Sequence, residues 1–115
     1  MMVQVHTDNH IKGSDELSGR VEGEVVGTFE RFGEQIMRVD VFLNDLNGHK
    51  HGIDKRCLME ARLAGHQPIA ASHEAASLDE AISGAADKLV HALDHKLGRL
   101  DTRKGRTSFG GDQTI

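Results

Sequence analysis

From Leu78 to about Arg106, apolar residues recur every three or four positions: Leu78, Ile82, Ala85, Leu89, Leu93, Leu97 and Leu100. At about 100° per residue they fall in one stripe, so the segment reads as one long helix with a core-facing side. Asp87, Asp94 and Asp101 recur every seven residues and form a second stripe. Lys88, His91, His95, Arg99 and Arg103 form a third, with Lys96 and Lys104 close beside it. A helix that only needed solubility would scatter its charges or pair them along one face. Segregated cations instead build a directional field suited to a polyanion, and that points to nucleic acid.

A chain of 115 residues is long enough for one domain with a modest core and too short for two. Its net charge of −4 and pI near 6 exclude a protein that coats nucleic acid indiscriminately. The sum conceals an asymmetry. Residues 1–87 hold 8 Lys or Arg against 15 Asp or Glu, a net −7, whereas residues 88–106 hold 6 against 2, a net +4. The pattern is a local cationic patch on an acidic body, and the acids sharpen docking by repelling wrong orientations.

Cys57 is the single cysteine and cannot form an internal disulfide. The chain has neither a signal-peptide pattern nor a run of about 18 apolar residues. The expectation is a soluble cytoplasmic protein.

The organisation reads as β-α-β-β-β-α. Met1, Val3, Val5 and Thr7 alternate with polar residues, as a strand with one buried face does. Ser14 is a good N-cap, followed by Asp15 and Glu16, where the helix dipole favours acids. Leu17, Val21, Val25, Phe29, Phe32 and Ile36 continue a helical stripe, predicting a first helix over about 15 to 34. Met37, Val39, Val41 and Leu43 predict a second strand, closed by a polar loop from Asn44 to Gly52 whose Asn47-Gly48 pair marks a turn. Cys57, Met59, Ala61 and Leu63 predict a third, and Ala64 to Pro68 a hairpin. Ile69 to His73 predict a short fourth, and Ser77 with Glu80 makes a capping box for the long helix.

A crossover helix between strands one and two implies parallel pairing, and short turns between strands two, three and four imply antiparallel pairing. The expected fold is therefore α+β: a four-stranded mixed sheet with two helices packed on one face. All four strands have one apolar side, which leaves the other open to water or a partner. The expected domain spans 1–104, and the aperiodic tail 105–115 is expected to be disordered.

The element order, the opening Val3-Gln4-Val5-His6, the segment Asp79-Glu80-Ala81-Ile82, and above all Ala86-Asp87-Lys88-Leu89 followed by His91, Leu93 and His95 resemble one known family. These are the ribosome hibernation promoting factors, also called ribosome-associated inhibitors or sigma-factor modulation proteins. The likeness covers residues 3 to about 104. It implies a translation inhibitor that binds the small ribosomal subunit near the decoding centre and occludes mRNA and tRNA. It also implies ribosomal RNA (rRNA) phosphate contacts by Lys88, His91, His95, Lys96 and Arg99, and the basic face extends these to Arg103 and Lys104. Arg20, Arg31, Lys50, Lys55 and Arg56 are secondary candidates.

The departures from the family pattern are specific. His91 and His95 stand where the family usually has Arg and Lys. Histidines are mostly neutral at pH 7, so binding that strengthens as pH falls is the consequence. Helix one carries Val25 and Thr28 where lysines are expected, and its Arg20 and Arg31 sit among Glu22, Glu24, Glu30 and Glu34. The chain resembles the short form, without the dimerising domain of longer relatives. Inhibition of single ribosomes by a monomer or weak dimer is therefore expected.

The rival reading is a histidine-based metal-responsive or protein-binding regulator, with His91 and His95 at i and i+4 as ligands and either Asp94, which points to another face, or a distant residue as the third. His49 and His51 lie beside Lys50 in a loop that is either a second RNA contact or simply polar. His6 and His10 read as surface or turn residues, and Cys57 as a small core residue. No Ser/His/Asp set, phosphate loop, CxxC pair or zinc-protease motif is present, so an enzyme, a cofactor and a small-molecule substrate are not expected. Four Phe with no Trp or Tyr argue against a platform for base stacking and for recognition of backbone and shape. Gly19, Gly23 and Gly27, four apart on helix one, suggest close approach to the small residues Ala81, Gly84, Ala85 and Ala92 of helix two; the alternative is that they are tolerated on an exposed face.

Overall fold

The computed structural model describes residues 1–8, 11, 14–46 and 54–103, with backbone alone over 99–103. The elements are β1 (Met2–Thr7), α1 (Asp15–Phe29), a 3-10 segment (Glu30–Gln35), β2 (Ile36–Asp45), β3 (Lys55–Leu63), β4 (Ile69–Ala75) and α2 (Leu78–Arg103). The sheet order is β1-β2-β3-β4. β1 runs parallel to β2, as a crossover through α1 requires, and the other two pairings are antiparallel. Both helices lie on one face. The Asn47-Gly48 turn and the segment 104–115 lie outside the described residues.

The two central strands supply the floor of the core. Val39 lies opposite Ala61, Val41 opposite Met59 and Leu43 opposite Cys57, and all six side chains are buried. From α1 come Leu17, Val21, Val25 and Phe29; from α2 come Ala81, Ile82, Ala85, Ala86, Leu89, Leu93 and Leu97. Each large side chain among them contributes about 1.5–3 kcal/mol of transfer free energy. The edge strands are only half covered, which leaves Val3, Val5, Ile69 and Ala71 partly buried. Both helix starts are capped as expected: Leu17 N–H donates to Ser14 Oγ at 3.0 Å and Glu80 N–H to Ser77 Oγ at 3.2 Å.

Three local expectations are corrected. Helix one ends at Phe29, not near residue 34: Phe29 leaves helical geometry at φ −105° and ψ 0°, and the chain continues as a 3-10 segment broken at Gly33, which adopts φ 59° and ψ −135°, a conformation that L-residues with a Cβ avoid. That turn releases Ile36 from the helical stripe into the start of β2, where it is buried. Met37 is not on the core face: a register shift between Ile36 and Arg38 turns it outward, 60% exposed. Finally, the glycines of α1 do not meet α2. A Cβ built on Gly19, Gly23 or Gly27 would meet nothing within 4 Å. The glycine that does require its lack of a side chain is Gly84 of α2, over which the His73 ring of β4 lies in direct contact.

Cys57 is buried, and burial, with Glu24's charge adding to it, pushes its thiol up to about 12, so it stays protonated and unreactive. Among the described residues no helix is long and apolar enough to cross a membrane.

Candidate nucleic-acid interface

The three stripes of α2 meet three different surroundings. Its apolar stripe lies on the sheet. Two of its acids are paired across to the other helical arm: Arg20 Nη2 of α1 meets Asp79 Oδ1 at 3.1 Å, and Arg31 Nη2, from the 3-10 segment after α1, donates to both oxygens of Asp94 at 2.8 Å. Asp87, on the same stripe as Asp94, is exposed and makes no ion pair among the described residues. Arg31 also lies 4.3 Å over the Phe32 ring. The hydroxyl of Ser83 reaches Glu24 between the same helices, at 3.4 Å. The cations turn the opposite way, past the edge strand β4.

On that outer side Lys88, His91 and His95 are exposed and Lys96 is half-buried. None of the four takes part in an ion pair among the described residues. Lys88 Nζ donates to the backbone carbonyl of Ser72 at 3.1 Å, which steadies the ammonium beside β4 without cancelling its charge. His91 Nδ1 donates to the Asp87 carbonyl one turn back, at 2.9 Å, so its Nε2 is the atom turned to solvent. Arg99 and Arg103 continue the row along the described backbone of α2, and Lys104 lies outside the described residues.

The secondary candidates separate. Arg20 and Arg31 are engaged with the acids of α2. Lys55 meets Asp54 at 2.9 Å and Asp45 at 3.9 Å, and the Asp54 carboxylate holds its pKa above the usual lysine value. Arg56 is half-buried on the open side of the sheet and makes no ion pair among the described residues. Lys50, His49 and His51 lie outside them. As for a metal, no group of three or more His, Cys, Asp or Glu that could hold one occurs among the described residues.

The open sheet face holds what the linear reading passed over. Asp40 is 4% exposed, with Arg38 Nε at 2.9 Å from one carboxylate oxygen and His6 Nε2 at 3.2 Å from the other. The Arg38 guanidinium, helped by His6, holds the Asp40 carboxyl below the usual carboxylate range. Positions 38 and 40 share a strand face by the period of two, so that pair was findable; His6 lies 34 residues from Asp40, and no spacing rule links them.

The outer side of α2 thus carries Lys88, His91, His95 and Lys96 without ion pairs among the described residues, on a four-stranded α+β domain. The chain belongs to the Sigma 54 modulation protein / S30EA ribosomal protein family, whose model matches residues 3–101. This is a family of non-enzymatic factors that bind ribosomes and regulate translation. No curated protein matches the chain by sequence. Among solved structures, the N-terminal domain of Protein Y from Thermus thermophilus is similar, with TM-score 0.65 and 21% identity over 83% of this chain and 98% of that one. A ribosomal subunit interface protein from Coxiella burnetii gives TM-score 0.67 and 14% identity over 85% and 99%. At these identities the two structures establish the shared fold.

Proposed function

We propose that this protein silences ribosomes by occlusion: the outer side of α2 docks on small-subunit rRNA near the decoding centre, and the body fills space that mRNA and tRNA need. The observation that carries this reading is the row Lys88, His91, His95 and Lys96, which makes no ion pair among the described residues while Asp79 and Asp94 are paired with Arg20 and Arg31. Arg99, Arg103 and Lys104 are further candidate contacts by their spacing in the sequence. Membership of the S30EA ribosomal protein family, and likeness to the ribosomal subunit interface protein of Coxiella burnetii, support a ribosomal partner. Phosphates are the natural ligand of such a row, because each one neutralised releases counterions and adds about 0.7–0.9 to the salt slope of log K. Arg56 remains a secondary candidate on another face; Arg20 and Arg31 are engaged by Asp79 and Asp94 in surface ion pairs between the helical elements.

The domain acts as a unit over residues 1–104, in the cytoplasm, as a monomer or weak dimer that inhibits single ribosomes. Co-sedimentation with purified small subunits tests the reading. The wild type travels with the subunit and a Lys88→Glu, Lys96→Glu variant of unchanged melting temperature stays at the top of the gradient. Full retention of that variant on the subunit would overturn the assignment of this face.

A further inference from the structure

The side of the sheet that the helices leave open is not a plain solvated surface. In register, His6 of β1 lies beside Phe42 of β2, and Phe42 beside Leu58 of β3. One row further along, Asn44 faces Arg56. The His6 and Phe42 rings are stacked, with centroids 4.6 Å apart and planes 12° from parallel. They line a cavity of about 290 Å³ together with Thr7, Asp8, Asn44, Arg56 and Leu58. That is the small end of the range for ligand sites, roughly 300–1,000 Å³.

A costly device holds the imidazole in this pose. Burying a carboxylate is unfavourable unless it is paired and hydrogen-bonded, and Asp40 is buried on a face that is otherwise open. Its effect is to pin His6 Nε2, so that the ring lies flat on Phe42 while 43% of its side chain stays exposed. The charges around the cavity are unequal in availability. Asp8 accepts from the backbone N–H groups of Ile11 at 3.1 Å and Asp45 at 2.8 Å, and lies 3.5 Å from the Asn44 amide. Arg56 has Glu74 as its cross-strand neighbour but makes no ion pair among the described residues. A flat, exposed stack beside a guanidinium and an amide suits a planar heterocycle that carries an anion.

We propose that this pocket binds one unstacked nucleobase of single-stranded RNA, which extends the His6–Phe42 stack while its phosphate sits on Arg56. The site is on a different face from the cationic side of α2 and does not depend on it. Four Phe are too few for an extended platform, yet the sheet brings one of them together with a histidine from another strand.

Titration of the full-length 15N-labelled chain with adenosine and uridine monophosphate, and with a short single-stranded oligoribonucleotide, tests the proposal. Shifts confined to residues 5–8, 41–45 and 56–59 are expected with the monophosphates; the oligoribonucleotide should shift the same residues, in addition to any on the cationic side of α2. Arg56→Glu should weaken oligonucleotide binding about tenfold and His6→Ala about fivefold, in line with the loss of a phosphate contact and of stacking. Arg56 lies on the open side of the sheet and is not among the buried core residues, so its variant decides the matter if His6→Ala melts early. The Lys88→Glu, Lys96→Glu variant should bind the monophosphates within about twofold of wild type, because the two faces are separate. Shifts confined to α2, none at about 10 mM nucleotide, or unchanged binding by Arg56→Glu would overturn the pocket. If the Lys88, Lys96 variant still co-sediments with subunits while the nucleotides shift residues 5–8 and 41–45, the docking face fails and the pocket stands. If that variant is lost from subunits and no nucleotide shifts appear, the pocket alone is refuted.

Discussion

The two helices lie on the same side of one sheet and begin with the same serine cap, yet they meet solvent with opposite character. α1 and the 3-10 segment after it present Glu22, Glu24 and Glu30 together with Gly19, Gly23 and Gly27, and their two arginines pair at the surface with acids of α2. α2 presents Lys88, His91 and His95, and its acids Asp79 and Asp94 are paired with those arginines. The difference teaches that the charge a partner meets is not the charge of a segment. It is what remains after the protein has paired its own groups. Arg20 of α1 and Arg31 of the 3-10 segment after it thus take up two of α2's carboxylates, Asp79 and Asp94, and weaken their screening of the cation row, while Asp87 stays exposed beside Lys88.

The comparison breaks most visibly at the cations of α2. Reversing Lys88 and Lys96 together should lower affinity for small-subunit rRNA about a hundredfold, close to 2.7 kcal/mol. It should also flatten the salt slope of log K by about 1.4–1.8. Filter binding over a salt series measures both, and an unchanged slope would show that these lysines do not meet phosphate.

The open sheet face extends the comparison to a third region, since Asp40 is neutralised by its own strand as Asp94 is by Arg31. Asp40→Asn should cost about 2 kcal/mol of stability at pH 7, because Arg38 and His6 lose a buried ionic partner. The sign follows from the lowered carboxyl. Its contribution is fully present above the ordinary carboxylate value and is lost as pH falls through the lower folded value, so the wild type should weaken below about pH 4. Urea unfolding from acid to neutral pH should show the gap between variant and wild type closing there; a constant gap would remove the linkage.

In α1 and the 3-10 segment that follows it, two glycines should answer with opposite signs. Gly33→Ala, forced into positive φ, should destabilise by about 1–2 kcal/mol. Gly23→Ala, on an open helix face, should stabilise by about 0.5–1 kcal/mol. Thermal melts of the pair decide whether the turn at Gly33 or mere tolerance explains each residue. The smallest effect belongs to Arg31→Ala. Its pair with Asp94 is about half exposed on both sides, so about 0–1 kcal/mol of stability is at stake, with rRNA affinity within about threefold of wild type if Arg31 is no contact. A larger affinity loss would restore α1 as part of the interface.

Much of the fold was legible because its periods are strong. The alternation in β2 and β3 and the three-four spacing of α2 placed the core residues Val39, Val41, Met59, Leu89 and Leu93 without reference to any neighbour. Errors fell where one residue's backbone overrode a pattern. Gly33 interrupts a stripe that Phe32 and Ile36 seem to continue on paper, and the shift beside Arg38 turns Met37 out of an alternation it fits. For the candidate site, the cation row was visible as spacing, but its availability was not, since that depended on Arg20 and Arg31 finding Asp79 and Asp94 across 59 and 63 residues.

Local order alone therefore determined which residues could be core, where helices begin, and that cations and acids occupy separate sides of α2. These are properties of a period of two or 3.6 and of caps within four residues, and they need no distant partner. Only tertiary packing decided which charges stay unpaired, that His6 lies flat on Phe42 above a buried Asp40, and that Gly84 rather than Gly23 is the close approach. Such contacts join residues with no fixed relation along the chain, and their geometry exists only once the sheet has set its register.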